Sequence, residues 1–129
     1  MAIMTGELER TARELLQHLD QRDFQAILRL TTDDAQGIDE LSRRWIRSKT
    51  ELAEYVRQLE GAVANLHSEL NDIQERTYSD TGLLTCWLEQ DYTHEGKPQH
   101  VSAPTTILFR RENGTWKIAL IHSVPLPAE

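Results

Sequence analysis

The sequence predicts an α+β domain in which helices from its first half pack on one face of an antiparallel sheet from its second half. Two observations carry this reading. Up to about residue 64 apolar residues recur at three- and four-residue spacing. From about residue 66 the chain reads as strands separated by turn signals.

Leu8, Ala12, Leu15, Leu16 and Leu19 put one apolar stripe on a first helix. Glu7 and Glu9 sit in its first turn, where the helix dipole favours negative charge. Asp20 to Asp23 interrupts the pattern. A second, short helix carries Phe24, Ile27, Leu28 and Leu30 on its buried side and ends near Thr31. Residues 31–47 show no clear period, so no element is assigned there. A third helix starts at "SKTE", where Ser48 and Glu51 have the spacing of a capping box. Its apolar face is Leu52, Tyr55, Val56, Leu59 and Val63, and Gly61 leaves its end open between Leu59 and Ala64.

Three turns divide the second half: "YSDTG" (78–82), "HEGK" (94–97) and "ENGT" (112–115). Asn113-Gly114 is the strongest of them, since both residues tolerate the positive φ of a type I′ hairpin turn. The strands are then expected at 66–78, 83–94, 98–111 and 115–124, with short loops making neighbours antiparallel.

The Asn113-Gly114 turn implies a register. Phe109 faces Ile118, Ile107 faces Leu120, and Thr105 faces His122 on one side of the sheet. A two-residue turn at Glu95-Gly96 extends the same side, with Ala103 facing Leu88, Thr105 facing Cys86 and Ile107 facing Leu84. On this reading Cys86, Thr105 and His122 form a polar row at one end of an apolar inner face, while Ser123 points outward. No carboxylate falls on the inner face. Trp87, Leu108, Ala119 and Ile121 fall on the outer face and form a candidate association surface.

Composition bounds the function. The chain has 129 residues, 27% of them charged and 39% apolar, which suits one soluble globular domain over 1–129. The net charge of −7, with 14 basic against 21 acidic residues, reads against a nucleic-acid partner. The basic stretch Arg43, Arg44, Arg47 and Lys49 is read as a solvated face. No apolar run reaches the length of a membrane span, and "MAIMTGELER" lacks the basic start of a secretory leader, so a cytoplasmic location is expected. One cysteine, Cys86, allows no internal disulfide and is read as an inert small hydrophobe.

"QRDFQAILRLTTDDA" (21–35) and "FRRENGTWKIALIHS" (109–123) resemble the opening helix pair and the last hairpin of the SnoaL-like proteins of the nuclear transport factor 2-like superfamily. The matching residues are Asp23, Phe24, Leu28, Asp34, Ala35, Gly114, Trp116, Lys117, Ile118, His122 and Ser123. The resemblance implies a cone-shaped α+β barrel, in which a strongly curved sheet of about four strands or more wraps three helices and leaves a pocket at its wide end. It also implies a homodimer packed sheet on sheet. Enzymes and non-catalytic assembly domains share this scaffold, so the fold does not name a reaction.

The expected ligand pocket is lined by Trp45, Cys86, Tyr92, Thr105, Leu120 and His122, and is expected to measure a few hundred Å³ and to take a small apolar ligand. His122 is the candidate general acid or base. Asp33 and Asp34 are read as loop residues in preference to a catalytic base. The group His94, Glu95, His100, Glu89 and Asp91 lacks recognisable ligand spacing, so no metal and no cofactor are expected. The alternative function is a non-catalytic homodimerisation or assembly module.

Overall fold

The computed structural model describes residues 6–127. In chain order the elements are α1 (Glu7–Gln21), α2 (Phe24–Arg29), β1 (Thr31–Asp39), α3 (Lys49–Ala62), β2 (Val63–Tyr78), β3 (Thr81–His94), β4 (Lys97–Glu112) and β5 (Thr115–Ser123). Helices pack on a five-stranded sheet, which is the α+β architecture the periodicities imply. The strand order is β1-β5-β4-β3-β2, and the sheet stays open. None of the described helices is long and apolar enough to cross a membrane.

α1 buries Leu8, Ala12 and Leu15, with Leu16 and Leu19 packed against the core. It stops where Arg22 turns left-handed at φ 61°. Arg22 then spans to the far end of α3, donating to the carbonyls of Glu60 (2.8 Å) and Val63. Asp23 caps α2 by accepting from the Ala26 N–H at 3.2 Å. Ser48 caps α3 by accepting from the Glu51 N–H at 3.1 Å. The expected box is open on its other side, because Glu51 accepts from the Arg47 N–H at 3.3 Å and not from that of Ser48. α3 runs through Gly61 and passes at Val63 straight into β2, which therefore starts three residues before the expected 66.

Residues 31–39, unassigned from their sequence, form a strand at the sheet edge. β1 runs parallel to β5, so the sheet has five strands, within the four or more expected, and is mixed where an all-antiparallel one was expected. β1 is polar and irregular: it buries only Thr31, Thr32 and Ala35, and its register shifts between Thr31 and Gln36. Pairing with the edge of β5 makes it a strand, since its own residues supply little β propensity.

The two central hairpins turn where the sequence says. Glu95-Gly96 has φ values of 52° and 78°, and Asn113-Gly114 of 52° and 77°. In β3–β4 the register is the expected one, with Leu88 opposite Ala103, Cys86 opposite Thr105 and Leu84 opposite Ile107. In β4–β5 it follows the expected line only as far as Phe109 opposite Ile118. There β5 carries one extra residue, a bulge at Ala119, and Leu120 lies opposite Leu108. Beyond it every side chain of β5 changes face. Ile121 pairs with Ile107, His122 with Thr106, and Ser123 with Thr105. The inner row therefore ends in Ser123, which is buried, and His122 is exposed on the other face. That reverses the orientation inferred for these two residues.

The main core gathers Leu8, Leu15, Leu84, Phe109 and Ile118 between α1 and the sheet. A smaller cluster of Val63, Tyr92, Val101 and Ala103 lies at the other end of the central strands.

Candidate functional site

A cavity of about 100 Å³ lies where α1, α2 and α3 meet β1 and β5. Leu15, Ile27, Leu52, Ile46, Ile118 and Ile121 supply its apolar wall. Asp39, at the end of β1, and Tyr55, one and a half turns into α3, form a polar pair on that wall. The Tyr55 hydroxyl lies 2.7 Å from Asp39 Oδ1 and 2.6 Å from Oδ2. Asp39 Oδ1 also accepts from the N–H groups of Leu41 (3.0 Å) and Ser42 (2.8 Å). The carboxylate thus caps its own turn through Oδ1, while Oδ2 carries the phenol alone. Burial first, and then the Asp39 charge, push the Tyr55 hydroxyl far above its ordinary range, so at neutral pH it stays a donor.

None of the six expected pocket residues lines this cavity. His122 is exposed and stacks on Trp45, with ring centroids 5.9 Å apart and planes at 26°. The Arg47 guanidinium lies 5.6 Å from the Trp45 ring centroid. Leu120 faces outward beside Leu108, because the bulge turns it there. Cys86 and Thr105 are buried side by side, as expected, but the partner of Thr105 is Ser123. Burial pushes the Cys86 thiol up to about 11, which leaves it protonated. Tyr92 is buried in the smaller cluster, its hydroxyl 3.5 Å from Glu40 Oε2. Of the expected association surface, Trp87 and Leu108 remain on the outer face, Ala119 forms the bulge, and Ile121 turns inward onto the cavity wall. Three of the six expected pocket residues, Cys86, Thr105 and His122, instead line a common open groove of about 570 Å³ that also runs past Trp87, Thr106 and Leu126.

The two aspartates weighed as bases have structural partners. Asp34 accepts from Thr32 at 2.9 Å and from Arg110 at 3.1 Å, which hold its carboxyl below the usual range. Asp33 pairs with Lys49 at 3.2 Å on the surface. The acid on the cavity wall is Asp39, which the sequence reading passed over. The available signal was "DELS" (39–42), an Asp three residues ahead of a Ser after an apolar residue. Among the described residues no group of three His, Cys, Asp or Glu could hold a metal ion.

An open five-stranded sheet carrying helices, with a small cavity between them, defines a nuclear transport factor 2-like, cystatin-like α+β fold. A ketosteroid isomerase-like protein from Erwinia carotovora atroseptica is 21% identical and superposes with a TM-score of 0.80 over 95% of both chains. A protein provisionally named a dehydratase of this fold family, from Streptomyces avermitilis, is 16% identical with a TM-score of 0.86 over 95% of this chain and 96% of the other. A provisionally named calcium/calmodulin-dependent protein kinase II association domain from Xanthomonas campestris is 18% identical with a TM-score of 0.83 over 100% of this chain and 95% of that one. At these identities the likeness is one of fold alone. The SnoaL-like domain profile matches residues 8–127, and the chain belongs to that family. No curated protein matches it.

Proposed function

We propose that the protein binds a small, mostly apolar compound in the cavity between its helices and β5, with Asp39 and Tyr55 as the acid/base end of the site. The supporting observation is the Asp39–Tyr55 pair on a mostly apolar wall. An apolar cavity with few convergent polar groups is a common form of ligand site. Oδ2 of Asp39 keeps lone-pair capacity beyond its one bond to Tyr55, so it can accept a proton or hydrogen bond from a ligand in the cavity. The size limits the guest: an apolar cavity of ~150 Å³ takes up benzene, and at about 100 Å³ this one admits at most a single compact ring or branched group. His122 has no part in this site, since its ring lies on the opposite side of β5.

The test is binding of benzene to the protein and to an Ala35→Val variant, whose added methyl groups enter the cavity. The expected result is a rise in Tm with benzene concentration for the parent chain and none for the variant. If benzene at saturation leaves the parent Tm unchanged, the cavity is not a ligand site.

A second reading has its own observation. Trp87, Leu108 and Leu120 share the outer face with the open groove, and this face supports a homodimer or assembly module. Light scattering that shows a monomer at micromolar concentration would remove it.

A further inference from the structure

Tyr55 also lines a second hollow. It is an open groove of about 460 Å³ between α3, the turn after β1 and the ends of β3 and β4. Tyr55 lines both spaces, and Asp39 and Glu40, adjacent in sequence, line one each. The inner cavity is apolar and sized for one compact group. The outer groove mixes polar and apolar side chains and is several times larger. Gln58 on α3 and Gln99 on β4 both line it, and neither side-chain amide makes a hydrogen bond among the described residues. Glu40 and Arg43 place opposite charges on its wall, with His94 as a further titratable side chain, so the fixed charges there balance.

We infer that cavity and groove are two compartments of one ligand site, divided by the Tyr55 ring, and that the ligand joins a compact apolar head to a neutral hydroxylated or amide tail. The inference rests on the cavity being a ligand site and extends it. The head fills the space behind Tyr55 against Ile27 and Ile118. The tail lies in the groove, where amides that both donate and accept match a hydroxyl or an amide better than a full charge. The tail passes the Tyr55 ring, so the hydrogen bond from Tyr55 to Asp39 acts as a latch that must shift before both compartments fill together.

Benzene and 3-phenyl-1-propanol test this, titrated calorimetrically into the full chain. The expected result is that 3-phenyl-1-propanol binds about tenfold tighter than benzene, the contribution of one or two added hydrogen bonds. The double variant Gln58→Ala with Gln99→Ala should remove that advantage and leave benzene affinity unchanged. Both positions are exposed, so the variant should keep its fold. Tyr55→Phe, which keeps the ring and frees the latch, should tighten 3-phenyl-1-propanol binding. Equal affinity for the two probes, or an advantage that survives the double variant, overturns the two-compartment site while the cavity reading stands. Failure of both probes to bind overturns both. Weaker binding of 3-phenyl-1-propanol to Tyr55→Phe overturns the latch.

Discussion

The hydroxyls of Thr105 and Ser123 lie 2.8 Å apart inside the sheet, on neighbouring strands, with both residues buried. Thr105 also donates to the Ala103 carbonyl at 3.1 Å, so Ser123 is the donor between the two hydroxyls. This pair is the inward end of β5 after its bulge, and it sends His122 to the surface.

The asymmetry of the pair gives the first prediction. Thr105→Val removes the acceptor and leaves the buried Ser123 hydroxyl without its partner, a loss of about 1–3 kcal/mol. Ser123→Ala leaves Thr105 still bonded to Ala103 and should cost only about 0.5–1.5 kcal/mol. Urea unfolding of the two variants measures the order. A larger loss for Ser123→Ala would mean that Thr105 donates to Ser123 and not the reverse, and no loss at all for Ser123→Ala would mean that Ser123 faces outward and the bulge is absent.

Why the bulge escapes the sequence is visible in "IALIHS" (118–123). Leu120 and Ile121 are equally apolar, so the alternation fits either phase. Ala119 gives no signal that it is the extra residue. The hairpin turns were legible because Asn113, Gly114, Glu95 and Gly96 must take positive φ, a local demand that few residue types meet. β1 was not legible, since "TTDDAQGID" becomes a strand only by pairing with β5, more than eighty residues on. The pair at the cavity has the same cause. Asp39 and Tyr55 are 16 residues apart on different elements, and only the packing of α3 brings them together. Tyr55 was legible as a member of a helix face, but not as the partner of an acid.

His100 bridges two carboxylates, with Nδ1 2.8 Å from Asp91 and Nε2 3.0 Å from Glu89. The bond to Asp91, reinforced by Glu89, raises the His100 pKa above its ordinary 6.5. On β2, with β3 between the two strands, His67 is raised in the same sense, first by Glu69. A pKa raised by folding stabilises fully below the ordinary value and is lost as pH climbs through the folded one. Nuclear magnetic resonance titration should therefore place the His100 midpoint above 6.5. As pH climbs from 6.5 through the raised folded pKa, the Tm of the parent should fall relative to that of His100→Gln. Parallel Tm curves would show that the bridge dissolves in water.

Cys86 is 6% exposed, and burial lifts its thiol to about 11. Thiolate is the reactive species, so the folded protein at pH 8 offers almost none of it, behind a packed core. An aromatic disulfide reagent should label Cys86 only as fast as the protein opens, and addition of urea should raise the rate in step with the unfolded fraction. Rapid stoichiometric labelling of the native chain would contradict the inward placement of the Cys86 side chain in the main core.

Gly82 and Leu8 make the last case, because their contact is a close approach of backbone to side chain. Gly82 is buried near the start of β3, and a Cβ there would lie 2.7 and 2.9 Å from the two methyls of Leu8. Leu8 is 1% exposed at the first turn of α1, so it has no free space to retreat into. Gly82→Ala should cost about 1–3 kcal/mol by overpacking. Leu8→Ala should cost about 2–5 kcal/mol by leaving a cavity. In the double variant the new methyl at 82 occupies part of the space left at 8, so the combined loss should fall short of the two single losses added together. Denaturant unfolding of all four proteins closes the cycle. Strict additivity would show that α1 does not press on β3 at this point.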